Sequence, residues 1–75
     1  MRTLLRNTAT GLYFQGPDMW TSDPRRALDF KLIDRALNFI ETWRLSDMEL
    51  AFAFRNYNQV TGVPIERIEL NYSES

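Results

Sequence analysis

Met48-Glu49-Leu50-Ala51-Phe52-Ala53-Phe54 is the stretch that decides the fold of this 75-residue chain. Large apolar side chains occupy every second position, and a glutamate and two alanines lie between them. Alternation with period two predicts a β-strand with one strongly apolar face and one face of smaller side chains. Residues 48–54 are therefore expected to form a central strand of a sheet.

The segment before this strand has helical periodicity and predicts a helix over residues 32–43. Its apolar side chains fall within about half of the helix circumference, and they are Leu32, Ile33, Ala36, Leu37, Phe39, Ile40 and Trp43. A surface helix usually has a narrower apolar stripe. We therefore expect part of this stripe to contact something other than the chain's own sheet.

Two apolar stretches near the N-terminus predict a β-hairpin over residues 3–15. They flank the turn-rich segment 7–11, where Gly11 provides the positive φ that such a loop needs. The predicted pairing places Leu4, Leu12 and Phe14 on the face that meets the core, with Arg6 at its edge, and Thr3, Leu5, Tyr13 and Gln15 on the other face.

Residues 12–16 (Leu-Tyr-Phe-Gln-Gly) are similar to the recognition sequence of a potyviral protease that is used to remove purification tags. The similarity stops at Thr10, where that recognition sequence has a glutamate, and the chain has no histidine. Residues 3–7 also supply a strand that pairs with this segment. We interpret the segment as a native part of the hairpin.

The remaining segments complete the predicted order β-β-α-β-β. Residues 16–18 are expected to form a turn, and Asp23 to cap a short helical turn that ends near Leu28, with a strand at 27–30 as the alternative. Residues 56–59 and 62–64 are expected to form a loop, and residues 65–70 an edge strand. The prediction is a single α+β domain over residues 1–75, a small mostly antiparallel sheet with one amphipathic helix packed on one face.

The chain has neither cysteine nor histidine, so it lacks the best nucleophile and the commonest general base. The spacing of the acidic residues brings no two carboxylates together in a pocket; those considered are Asp29, Asp34, Glu66 and Glu69. Asp29 is placed to favour a helix N-terminus electrostatically. The sequence therefore predicts a protein that is not an enzyme and has no metal site and no cofactor.

The charge pattern bears on the class of partner. Residues 1–44 carry seven cations and five anions, and residues 45–75 carry two cations and five anions, for a net charge of −1. Phosphate-led binding needs a coherent basic face, and Arg25–Arg26 is the one adjacent basic pair. Nucleic-acid binding is kept as the alternative function, because Tyr13 and Phe14 beside Arg6 are similar in outline to a base-stacking platform.

No stretch approaches the roughly 20 apolar residues of a membrane-spanning helix. The first residues also lack the apolar core of a signal peptide. We therefore expect a cytoplasmic protein without membrane contact.

Tryptophans in a chain this small are most often buried, so packing is the first expectation for Trp20 and Trp43. Tryptophan also dominates binding hot spots, and the candidates for partner contact are Leu32, Phe39, Trp43 and Trp20. The predicted function is a small non-catalytic protein-interaction or scaffolding module, with a homodimer as one form of partner. In the alternative, residues 60–70 fold back over the helix stripe and leave a monomer.

The stretch 10–18, followed by Trp20–Thr21, Asp23–Pro24 and residues 27–30, resembles a pattern in short uncharacterised bacterial proteins. Their second half similarly has a helix followed by an apolar strand like residues 48–54. The resemblance implies a native hairpin and a bacterial cytosolic setting. It implies no activity, cofactor or site residue.

Overall fold

The computed structural model describes residues 1–54 and 59–65. Within these residues the elements are β1 (Arg2–Asn7), β2 (Tyr13–Gly16), β3 (Met19–Thr21), α1 (Ile33–Trp43), β4 (Met48–Ala53) and β5 (Val60–Pro64). The strands form one antiparallel sheet in the spatial order β3-β2-β1-β4-β5. The helix packs on one face of this sheet, so the predicted α+β class is confirmed.

The β1–β2 hairpin forms, and its loop is closed by local hydrogen bonds. The Asn7 side-chain oxygen accepts hydrogen bonds from the backbone N–H groups of Ala9 and Thr10 at 2.8 and 3.0 Å. Gly11 adopts a φ of 76° and donates its N–H to the Asn7 carbonyl at 2.8 Å. The positive φ expected at Gly11 is therefore confirmed.

The predicted assignment of side chains to the two hairpin faces is wrong. Arg6 pairs with Tyr13, so Leu4 shares a face with Tyr13, and Leu5 shares the opposite face with Phe14. A register shift of one residue exchanges the two faces of a strand. Leu4 and Leu5 are both completely buried, so β1 has a covered face on each side and its sequence does not reveal the register.

Each face of the sheet carries its own hydrophobic core. The buried residues on the helix side are Leu5, Phe14, Phe30, Ala36, Met48 and Leu50. Those on the opposite side are Leu4, Tyr13, Ala27, Ala51 and Ala53. The predicted alternation along β4 is confirmed, because its large side chains meet the helix and its alanines meet the far core. This strand lies between β1 and β5 and ends at Ala53, one residue earlier than predicted.

A hydrogen-bonded turn takes the place of the helical turn predicted after Asp23. The Asp23 carboxylate accepts a bond from the Arg25 backbone N–H at 2.9 Å, and its carbonyl accepts one from the Arg26 N–H at 3.0 Å. No helix follows, because Ala27 is buried in the core opposite the helix and Phe30 in the core beneath it. Tertiary packing overrides the local helix signal here.

The alternative prediction of a strand at 27–30 is also wrong. The Leu28 N–H donates to the Phe14 carbonyl at 3.0 Å, and the Phe30 N–H donates to the Thr3 carbonyl at 2.8 Å. The segment thus bonds to β2 with one residue and to β1 with another, and it joins neither ladder.

Helix α1 begins one residue after the predicted start. Leu32 is its N-cap in an extended conformation and makes no side-chain cap bond, and Asp34 lies in the first turn, where a carboxylate is favourable. At the C-terminal end Arg44 is left-handed, with a φ of 50°. Ala36 is completely buried in the core between the helix and the sheet.

Strand β3 was not predicted. The turn expected at residues 16–18 forms, with a φ of 57° at Asp18, and the chain then folds back so that Trp20 pairs with Phe14. A strand of three residues is too short to show an alternating pattern.

The loop predicted at 62–64 is wrong, because these residues belong to β5. A side chain at Gly62 would place its Cβ 2.5 Å from both the Arg6 guanidinium and the Glu49 carboxylate. The glycine therefore makes room for the cross-strand ion pair between Arg6 and Glu49. In the sequence, the same glycine with Pro64 two residues later gave the signal of a turn. The predicted edge strand at 65–70 and loop at 56–59 lie outside the described residues, apart from Ile65 and Gln59.

Among the described residues, no helix is long and apolar enough to cross a membrane.

Candidate functional site

A continuous row of aromatic rings runs from β3 across β2 to α1. Trp20 meets Phe14 edge-to-face with ring centroids 5.6 Å apart. Phe14 lies 4.9 Å from Phe39, and Phe39 lies 6.0 Å from Trp43. Favourable aromatic pairs have separations of about 4.5–7 Å. The row places a tryptophan at each end, where the packed core gives way to the surface.

These tryptophans border a groove of about 500 Å³ between the β2–β3 hairpin and the C-terminal half of α1. We call it the aromatic groove. Its lining residues are Phe14, Gln15, Gly16, Pro17, Asp18, Trp20, Leu28, Phe39, Trp43 and Leu45. Asp18 is the one charged residue among them, so the groove combines an apolar interior with a carboxylate at the β2–β3 turn.

The groove brings together Trp20, Phe39 and Trp43, which the sequence proposed as partner contacts. The burial expected of Trp43 is wrong, because its side chain is 66% exposed. Trp20 packs on Phe14 and is still 38% exposed. Leu32, the fourth candidate, is 57% exposed but lies at the other end of the helix, outside the groove.

Sequence reasoning missed Leu28, Leu45 and residues 15–18 as parts of this site. The backbone bond from Leu28 to Phe14 holds this residue beside the groove, where it is 42% exposed. Residues 16–18 gave a turn signal and Gln15 was assigned to the hairpin, but their place at the groove depends on β3 folding back. No signal in the sequence shows that fold-back.

A second cavity of about 390 Å³ has two carboxylates in its lining, Asp47 and Glu49. Glu49 accepts a hydrogen bond from the Arg6 guanidinium at 2.7 Å. Thr8 donates both its backbone N–H and its hydroxyl to the Asp47 carbonyl, at 2.7 and 3.0 Å. Glu49 therefore already has a cationic partner. Asp47 is hydrogen-bonded through its backbone carbonyl to Thr8, next to the paired ends of β1 and β4.

Asp29 has a different role from the helix-end one predicted for it. Its carboxylate accepts backbone bonds from Thr3 at 3.0 Å and from Lys31 at 2.9 Å, and it lies 3.8 Å from the Arg2 guanidinium. It satisfies backbone donors where the chain passes beside β1. Glu66 and Glu69 lie outside the described residues.

The described residues contain no group of three or more acidic side chains arranged to hold a metal ion.

Several cations of the described chain are engaged by carboxylates. The hydrogen bond from Arg6 to Glu49 raises the pKa of that guanidinium, and Arg6 also lies 5.7 Å from the centre of the Tyr13 ring. Arg25 is 3.1 Å from Asp23, and its side-chain bond lowers the pKa of that carboxyl. Each of these two cations therefore has an anion beside it.

Comparison with protein-family models, curated proteins and solved structures gives no match. The interpretation of the aromatic groove therefore rests on its own geometry.

Proposed function

We propose that this chain is a small non-catalytic protein-interaction module that binds a protein partner through the aromatic groove. The observation that carries the proposal is the exposure of Trp43 beside Trp20 and Leu28 on one concave surface. Tryptophan is enriched among residues that dominate binding energy, and hot spots cluster in well-packed pockets. A contiguous apolar patch with a polar border is typical of an interaction surface.

The shape of the groove also supports a protein partner. Phe14 and Phe39 are held by the core, so the groove is formed before a partner arrives. Preorganised aromatic side chains lose little conformational entropy on binding. The bacterial cytoplasmic setting implied by the sequence pattern is part of the same proposal.

Nucleic-acid binding remains the alternative function. The basic residues that would serve it include Arg2, Arg6 and Arg25, and each of these lies within ion-pair distance of a carboxylate. Tyr13, one of the two proposed stacking residues, is 7% exposed, and Phe14 is 6% exposed. Buried rings are unsuited to base stacking, so the observations favour a protein partner.

Site-specific photocrosslinking in the source organism tests the proposal. A benzophenone side chain in place of Trp43 keeps an aromatic group in the groove. The same group in place of Thr42, which is exposed on the neighbouring helix position, is the matched control. We expect a protein adduct of defined mass at position 43, its loss when Trp20→Ala is added, and no such adduct at position 42.

An adduct with nucleic acid at position 43, or protein adducts equal at both positions, would contradict the proposed function. A defined adduct that survives Trp20→Ala would place the contact outside the groove and would also contradict it. The unfolding transition of each variant is measured alongside, so that a misfolded chain is recognised.

A further inference from the structure

The surface around the aromatic groove carries a projection and a hollow side by side. Trp43 is the last residue of α1, and its side chain is 66% exposed. The adjoining groove of about 500 Å³ is bordered on its other side by Trp20. A partner that fills this surface has to offer a hollow for Trp43 and an apolar projection for the groove.

A carboxylate lines this surface, and a guanidinium belongs to the residue that joins two of its lining residues in the chain. Asp18 lines the groove at the β2–β3 turn. Arg44 lies between Trp43 and Leu45, both of which line the groove. Both charged residues are exposed, and neither has an ion-pair partner among the described residues. A partner complementary to these charges presents a cation and an anion.

We infer that the occupant of the aromatic groove is a second copy of this chain, in a symmetric dimer where each Trp43 enters the groove of the other copy. The inference rests on the proposed function and names its partner. An isologous interface requires a patch that is complementary to itself, so that a contact made by one copy is made again by the other. Trp43 of each copy would enter the groove of the other. Asp18 of each copy would face Arg44 of the other, so both kinds of contact occur twice.

The area of the surface limits how tightly two copies can bind. Standard stable interfaces bury about 800 Å² per partner, whereas exposed apolar patches on small proteins are on the order of a few hundred Å². The dimer is therefore expected to be weak and to dissociate on dilution.

Sedimentation of the full chain across a hundredfold dilution series tests the dimer. We expect the mass to rise from that of one chain, 8.9 kDa, to twice that value as concentration increases. Trp43→Glu should remain monomeric at every concentration. Thr42→Glu adds the same charge at the neighbouring exposed helix position and should dimerise like the parent.

A charge exchange gives the sharper test. In a symmetric dimer, Asp18→Lys alone and Arg44→Glu alone each place like charges opposite one another, and each should raise the dissociation constant about tenfold or more. Mixing the two variants restores opposite charges at both contacts, so a heterodimer of near-parental affinity should form. Asp18→Asn removes the charge and tolerates the positive φ at this position, so it controls for backbone strain.

A chain that stays monomeric over the whole series overturns the dimer, and so does a mixture that dissociates as readily as each variant alone. Dimerisation that persists in Trp43→Glu places the interface elsewhere and also overturns it. If the chain is monomeric but forms a defined crosslink to a different protein at position 43, the dimer is contradicted and the proposed function is not. A monomer without such a crosslink contradicts the proposed function as well.

Discussion

The second turn of α1 and its C-terminal end have different surroundings. In the second turn, Ala36 is completely buried in one cluster with Leu5 and Leu50. At its C-terminal end, Trp43 belongs to the same stripe and is 66% exposed. We call the first region the central core. The difference shows that helical periodicity identifies which side chains share a face but does not show where the opposing sheet ends.

The largest effect is expected in the central core. Leu50 is completely buried, so Leu50→Ala should lower the free energy of unfolding by about 2–5 kcal/mol. Leu28→Ala is the matched control, since Leu28 is 42% exposed beside the aromatic groove, and it should cost about 1 kcal/mol or less. Chemical denaturation of both variants measures the contrast. Equal losses would remove the distinction between the two regions.

A smaller effect is expected at Asp29, which holds the chain against β1. Asp29→Ala removes the acceptor for the Thr3 and Lys31 backbone N–H groups and should destabilise the chain by about 1–3 kcal/mol. Asp29→Asn retains a side-chain oxygen and should cost less than the alanine variant. If both substitutions lower the unfolding free energy equally, the charge of Asp29 and its proximity to Arg2 matter more than the backbone bonds.

The alternation of residues 48–54 and the helical stripe of residues 32–43 were sufficient to predict the fold class. They succeed because the large apolar side chains of each element share one side, which faces the core between helix and sheet. The faces of the hairpin could not be predicted, because Leu4 and Leu5 are adjacent and both buried. Because large apolar side chains occur on both sides of β1, its sequence has no alternation that would fix the register.

The groove could be predicted only in part. The breadth of the helix stripe predicts that Leu32, Phe39 and Trp43 exceed what one sheet covers, and of these Phe39 and Trp43 line the groove. The arrival of Trp20 beside them depends on β3, a strand of three residues, and on a turn with a positive φ at Asp18. The fold-back brings Trp20 against Phe14, a contact between two separate strands that no local sequence pattern reveals.

Two glycines allow a crowded position, Gly62 beside Arg6 and Glu49, to be compared with an open position, Gly16 at the aromatic groove. Gly62→Ala places a methyl group against Arg6 and Glu49, whose side-chain ends must move, and it should cost about 1 kcal/mol. Gly16→Ala at the groove meets only the Met19 sulfur, at 3.9 Å, and should change stability by less than about 0.5 kcal/mol. Thermal unfolding of both variants measures the difference. A neutral Gly62→Ala would show that the ion pair moves aside without loss.

Of the two aromatic residues of α1 at the groove, Trp43 is the one where a substitution separates binding from folding. Phe39 lies 4.9 Å from Phe14 and 5.3 Å from Phe30, so Phe39→Glu would place a charge among core rings and destabilise the chain. Trp43→Glu acts at the exposed end of the same stripe and is the suitable choice.

The unfolding free energy of Trp43→Glu, measured at a concentration too low for association, tests most directly whether the aromatic groove is separate from the core. Because most of the Trp43 side chain is exposed, the value is predicted to lie within about 1 kcal/mol of the parent chain. A loss of about 3 kcal/mol or more would show that Trp43 is needed for folding, and that result would contradict a groove kept open for a partner.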